Sequence, residues 1–275
     1  MAAADSEQAG VTGPRLSAAE VSIGYAGRTV VDGLSVEIAD RAFTAIVGPN
    51  ACGKSTLLRG LARLLKPTSG AVLLDGADIR SLHTRRVARH IGLMPQSSTA
   101  PEGITVADLV SRGRFPHQRV FRQWSVDDER AVDAAMTATG TTDLAGRLVD
   151  ELSGGQRQRV WIAMVLAQDT PLVLLDEPTT YLDIAHQIEL LDLCVALCRE
   201  RGRTVVAVLH DLNHACRFAD RIVAMKDGRI VAQGDPRDII TPDLVATVYG
   251  LECRIIDDPE TGTPLVIPRA SRSAS

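Results

Sequence analysis

Gly48-Pro49-Asn50-Ala51-Cys52-Gly53-Lys54-Ser55-Thr56 fits G-x-x-x-x-G-K-[ST], a phosphate-binding pattern. Its glycines let the backbone wrap so that successive N–H groups aim at phosphate oxygens, and the N-terminus of the following helix adds partial positive charge. In that arrangement Lys54 reaches the β- and γ-phosphates of a nucleotide, and the Ser55 hydroxyl ligates Mg²⁺. A carboxylate must hold the metal opposite Ser55. Asp176, closing the apolar run that starts at Pro171, is in the right place, and Glu177 beside it can polarise an attacking water as general base. Adjacent acids can be mere surface charge, but an apolar run before them puts them at the carboxyl edge of a sheet, where α/β folds bind ligands. A further turn, Ser153-Gly154-Gly155-Gln156, opens a helix upstream of them. Alone it reads as a cap; beside the other two features it reads as a second phosphate device. A GTPase reading is weak, because the only asparagines, Asn50 and Asn213, leave no N-K-x-D.

These residues need a frame. The 275 residues are 45% hydrophobic, enough for one large α/β domain with a real core. Acidic residues number 34 against 30 basic ones, a net charge of -4, which excludes a nucleic-acid polyelectrolyte. The N-terminus has no basic, apolar leader, no run is long enough to span a bilayer, and the five cysteines form no C-x-x-C, so a cytosolic chain with reduced thiols is expected. Phe43 to Gly48 reads as a buried strand, and the helix from Lys54 runs until Pro67. Pro171 to Asp176 and Thr204 to His210 read as further buried strands, joined by a helix whose core stripe is Ile184, Ile188, Leu191, Val195 and Cys198. From about Met94 to Ala167 the pattern is helical, with Ser125 and Asp128 spaced as a capping pair. Asp227-Gly228 marks a hairpin, and IPRASRSAS reads as a frayed tail.

Leu152-Ser153-Gly154-Gly155-Gln156 resembles the signature of ATP-binding cassette (ABC) proteins, and the other marks follow in family order from about Leu16 to Tyr249. The resemblance implies an α/β P-loop NTPase with a RecA-like parallel core, an antiparallel β subdomain and an inserted helical subdomain at about 97–167. It places the ATPase domain at 15–250, with a tail at 1–14 and an extension at 251–275. ATP and Mg²⁺ are implied, with Ser55, Gln96 and Asp176 around the metal. Gln96 resembles the glutamine that senses Mg²⁺ and contacts the transport partner, Tyr25 the aromatic that stacks on adenine, and His210 the histidine that hydrogen-bonds the γ-phosphate. Asp183 resembles the acid that crosses to a partner subunit, although alone it reads as a helix N-cap.

Within the family, Glu177 to Gln187 (EPTTYLDIAHQ) and Arg112 to Gln118 (RGRFPHQ) are most similar to ATPase subunits of bacterial iron-chelate importers. That resemblance implies a homodimer in the nucleotide-bound state, a separate membrane permease on whose cytoplasmic face the chain sits, and a substrate-binding protein engaged indirectly. Haem and vitamin B12 importers share much of it. A soluble ABC protein acting on ribosomes or DNA is the rival, but such proteins usually carry two cassettes or long coiled coils, and no heptad run is present. The stretch RGRFPHQRVFRQW reads as partner-facing rather than RNA-binding. Ala51 stands where glycine is usual, so φ is expected to stay negative there. Cys52, beside Lys54 and a helix end, is expected to have a thiolate stabilised relative to a buried thiol, open to alkylating reagents whose attack Mg-ATP slows.

Overall fold

The computed structural model describes residues 14–96, 99–118 and 124–269. Two long strands open it, β1 (Leu16–Tyr25) and β2 (Arg28–Ile38). Leu16 and Ala18 turn inward from β1, and an irregularity at Glu20, whose φ is 50°, shifts the alternation so that Val21 and Ile23 face inward beyond it. β3 (Phe43–Val47) is buried along its whole length, as a strand covered on both sides must be. Next comes α1 (Lys54–Leu61), which stops before Pro67 because Arg63 adopts a left-handed φ of 63°. β4 (Ser69–Leu74) and β5 (Ala77–Asp78) complete an antiparallel sheet in the order β2-β1-β4-β5. α2 (Thr84–His90) then leads into β6 (Ile91–Met94).

Three α-helices follow: α3 (Val106–Ser111), α4 (Val126–Ala138) and α5 (Gly154–Ala167). Ser125 and Asp128 form both hydrogen bonds of a capping box at α4, as their spacing foretells. Leu109 and Val110 of α3, Val132 and Met136 of α4, and Val160 and Ala163 of α5 belong to one hydrophobic cluster. Arg114 lies buried beneath them, its Nε 2.8 Å from Asp128 Oδ1 while its Nη1 donates to the Ala167 carbonyl. Within the RGRFPHQ run, therefore, Arg114 is structural while Phe115 is exposed. Arg119 to Gln123 lie outside the described residues.

Beyond them come β7 (Leu172–Asp176), α6 (Ile184–Arg199), β8 (Thr204–Val208), α7 (Leu212–Phe218), β9 (Arg221–Lys226) and β10 (Arg229–Gly234). The main sheet has the order β10-β9-β3-β8-β7-β6, parallel except for β10. Asp227 and Gly228 both have positive φ, 47° and 77°, as the expected tight hairpin requires. Of the expected α6 stripe, Leu191 and Cys198 are buried and Ile188 and Val195 half-buried, and Leu190, Cys194 and Leu197 complete the buried face in place of Ile184. Ile184 is 77% exposed because the first turn of α6 stands clear of the core beside exposed Tyr181. Last come α8 (Pro236–Ile239), α9 (Pro242–Tyr249), β11 (Cys253–Asp257) and β12 (Pro264–Pro268). Ile267 and Pro268, expected in a frayed tail, pair in β12 with Arg254 and Cys253. The residues past Arg269 lie outside the described set. All five cysteines are free and buried.

Candidate nucleotide site

β3 delivers the chain to the carboxyl edge of the parallel sheet, where the turn into α1 becomes the phosphate loop. A Cβ on Gly48 would meet the Met225 carbonyl oxygen at 2.2 Å, and Gly53 caps α1 with a φ of 106°. Glycine is required at both positions. Ala51 does not follow expectation: its φ is +61°. The loop needs a left-handed residue there, and alanine adopts it against its Cβ sterics. The Lys54 ammonium donates to the carbonyls of Gly48 (2.9 Å) and Pro49 (2.8 Å), so it lies folded over the loop. At Cys52 Lys54 favours the thiolate as expected, but the expected accessibility is absent. The residue is 4% exposed, and burial pushes its thiol up, overriding the attraction of Lys54. Its Sγ faces Gly48 from inside the loop, 2.9 Å from where a Gly48 Cβ would stand.

A cleft of about 940 Å³ lies over this loop, lined by Asn50, Ala51, Gly53, Lys54, Ser55 and Thr56 together with Tyr25, Gln96, Glu177 and His210. Tyr25, at the end of β1, is 44% exposed, and Arg59 Nη1 donates to its hydroxyl at 3.5 Å. The Ser55 hydroxyl donates to Asp176 Oδ1 at 2.6 Å across the junction of α1 and β7. Burial raises the Asp176 carboxyl, against the Ser55 hydrogen bond and the Arg59 charge. Asp176 Oδ2 is buried with no hydrogen-bond partner, and Arg59 Nη2 stands 3.7 Å away. A buried carboxylate oxygen without a hydrogen, next to a serine hydroxyl, is an oxygen donor set that fits a hard divalent cation. Glu177 Oε1 lies 2.9 Å from His210 Nε2, joining the ends of β7 and β8.

Ser153, Gly154, Gly155, Gln156 and Asp183 do not line this cleft. Ser153 and Gln156 form a capping box on α5, and Asp183 caps α6, accepting from His186 N at 2.9 Å. Gly154 and Gly155 pack against Tyr181 and Leu182. The cleft also contains residues that sequence reasoning did not single out: Arg28, Thr29, Val30, Asp227 and Gly228. Asp227-Gly228 carried a signal, read only as a turn. Gly228 N donates to Cys52 O at 2.9 Å, and a Cβ there would meet Val30 O at 2.2 Å, so this turn closes one wall of the site.

A parallel sheet with a phosphate loop at its carboxyl edge, facing an acid pair and a histidine, defines a P-loop nucleoside triphosphatase. The family model described as ABC transporter matches residues 31–180, and the chain belongs to that family as an ATP-hydrolysing, ATP-binding subunit. It is 58% identical to the ferric enterobactin transport ATP-binding protein FepC of Escherichia coli (strain K12), over 92% of this chain and 94% of that protein. Among solved structures it is similar to a metal-chelate type ABC transporter in an inward-facing conformation, with a TM-score of 0.79 and 28% identity over 94% of this chain and 98% of that one. It is also similar to the dimeric, post-hydrolysis ABC cassette MJ0796 bound to ADP and Pi, with a TM-score of 0.72 and 29% identity over 80% of this chain and 98% of that one.

Proposed function

We propose that this chain hydrolyses ATP to power import of a ferric siderophore through a separate membrane permease. The observation that carries the cargo is the 58% identity, over nearly the whole of both chains, to a protein named for ferric enterobactin transport. Haem and vitamin B12 are the competing cargoes.

The phosphate-loop N–H groups and Lys54 bind the β- and γ-phosphates, and Tyr25 stacks on the adenine. Ser55, Asp176 and Gln96 would hold Mg²⁺, which would supply neutralisation of phosphate charge when bound. Glu177 takes the proton of the water that attacks the γ-phosphate in line, and His210 orients both Glu177 and the phosphate. The Ser153 turn and Asp183 lie outside their own chain's cleft, and in this reading each completes the cleft of a second copy in a head-to-tail homodimer, in keeping with the likeness to a dimeric cassette.

The permease docks where exposed Phe115 and Trp124 flank a groove of about 480 Å³ with Ile104 and Gln118. No helix among the described residues is long and apolar enough to cross a membrane. In this reading the permease holds the chain at the cytoplasmic face, and contact with a substrate-binding protein is indirect. Nucleic acid has no part in this reading.

Uptake of labelled ferric siderophore, haem and vitamin B12 in a deletion strain tests the cargo. Loss of ferric siderophore uptake alone is expected. Unchanged siderophore uptake with loss of either other cargo overturns the iron reading and leaves the ATPase in place.

A further inference from the structure

After β7 the chain leaves regular structure, and Glu177 sits at a φ of +55°, a left-handed conformation that a non-glycine residue holds only when its surroundings impose it. The surroundings include a glutamine not assigned above. Gln158, on α5, donates from Nε2 to the carbonyls of both Glu177 (3.3 Å) and Pro178 (3.1 Å). Further along, Gln187 of α6 donates to the carbonyls of Thr179 (3.2 Å) and Leu182 (3.1 Å). The internal bonds of this segment are long: Thr180 N to Glu177 O and Leu182 N to Thr179 O are both 3.3 Å. Two side-chain amides from two helices therefore hold a segment that binds itself weakly.

We infer that Gln158 is a positioning residue for hydrolysis, fixing the backbone of Glu177 from the helix whose N-terminus carries the Ser153 turn. The inference rests on Glu177 acting as the base. The opening turns of α5 then serve two different nucleotides. Ser153, at its start, addresses the nucleotide of the partner copy, while Gln158, one turn further on, holds the base that acts on this chain's own nucleotide. A displacement of α5 as the dimer closes is delivered through two hydrogen bonds to the Glu177 backbone, and from there to the carboxylate beside His210. The requirement is for a donor. Glutamate has the same shape but sets acceptor against acceptor, whereas lysine keeps a donor at similar reach.

Steady-state hydrolysis by the purified full chain tests this, with Gln158→Glu, Gln158→Met and Gln158→Lys measured beside wild type and Glu177→Gln. Gln158→Glu and Gln158→Met are expected to lower kcat about tenfold with KM for ATP within about twofold, and Gln158→Lys to recover kcat to within about threefold of wild type. If the glutamate variant does not fold, the methionine and lysine pair carries the same comparison. Equal losses in the lysine and methionine variants, wild-type kcat in the methionine variant, or a KM rise at unchanged kcat overturns the inference. If Glu177→Gln is silent while Gln158→Met turns over like wild type, only this inference fails. If Glu177→Gln itself turns over like wild type, the base reading fails and this inference falls with it.

Discussion

Glu177 Oε1 and His210 Nε2, at the ends of two neighbouring parallel strands, lie 2.9 Å apart over the phosphate loop. The sheet sets that spacing: Asp176 pairs with Val208, so the residues just past each strand end are brought together. If Glu177 is the base, as proposed, replacing its oxygen removes the function without changing the shape. Glu177→Gln should lower phosphate release by about a hundredfold or more, the range for removing a general base. ATP should still bind, and gel filtration should show the closed dimer accumulating.

The division of the Ser153 turn from its own cleft is tested with mixed dimers. In a pair of one Ser153→Arg chain and one Lys54→Ala chain, both lesions should fall on one composite site and spare the other. Two Ser153→Arg chains should damage both. Nucleotide binding by the mixed pair no greater than by the doubly substituted pair contradicts the shared sites.

Cys52 should resist alkylation. Burial raises its thiol, so the reactive thiolate is scarcer at neutral pH than for an exposed cysteine and grows only as pH rises. Iodoacetamide should modify it slowly in the folded chain, with or without Mg-ATP, and rapidly after denaturation. Fast labelling of the native chain that nucleotide suppresses would show the loop to be open.

Ala51 holds a left-handed conformation that costs a residue with a Cβ about 1–2 kcal/mol. Glycine relieves that cost but loses about 0.5–1 kcal/mol in unfolded-chain entropy. Ala51→Gly should therefore raise unfolding stability by about 0.5–1 kcal/mol, read as a shift in urea midpoint at constant slope.

Arg114 and Asp128 form an ion pair at 2.8 Å with both side chains nearly buried. Burial works against the Asp128 carboxylate, but bonds from Ser125 and Arg114 win and hold it below the ordinary range. A depressed folded pKa adds stability above the unfolded value, about 3.9, and that stability is lost as pH falls through the folded value. Asp128→Asn should cost about 3–5 kcal/mol at neutral pH by stranding the arginine. The deficit against wild type should shrink below about pH 4.

The chemistry was more legible in the sequence than its supports. Gly48, Lys54, Ser55, Asp176 and Glu177 stand in local loop and strand-end patterns, so their types and spacing single them out as candidates. Tyr25, Gln96 and His210 required the family resemblance, since each alone is an ordinary strand or loop residue. What stayed hidden depends on distant chain segments. Cys52 is buried because the loop folds its thiol inward under Gly48 while the turn at Gly228 bonds to its carbonyl, and helix-end charge says nothing of that. The α6 stripe holds at Leu191 and Cys198 but fails at Ile184, because spacing gives a helix its faces but not the point at which it leaves the core. Gln158 carried no signal beyond lying in α5, because its partners are backbone carbonyls that any sequence would supply.

The cap at Ser153 has one more consequence. Its hydroxyl oxygen accepts from Gln156 N, while the Gln156 side chain accepts from Ser153 N, so the box uses the oxygen's lone pair and leaves the hydroxyl proton uncommitted. In the proposed dimer one group would thus face two ways, closing the helix behind it and offering a hydrogen to a phosphate in front. Threonine could do both, whereas alanine could do neither. Aspartate would keep the cap but turn the outward face from donor into like charge, leaving a chain that folds and binds ATP yet repels the nucleotide of its twin.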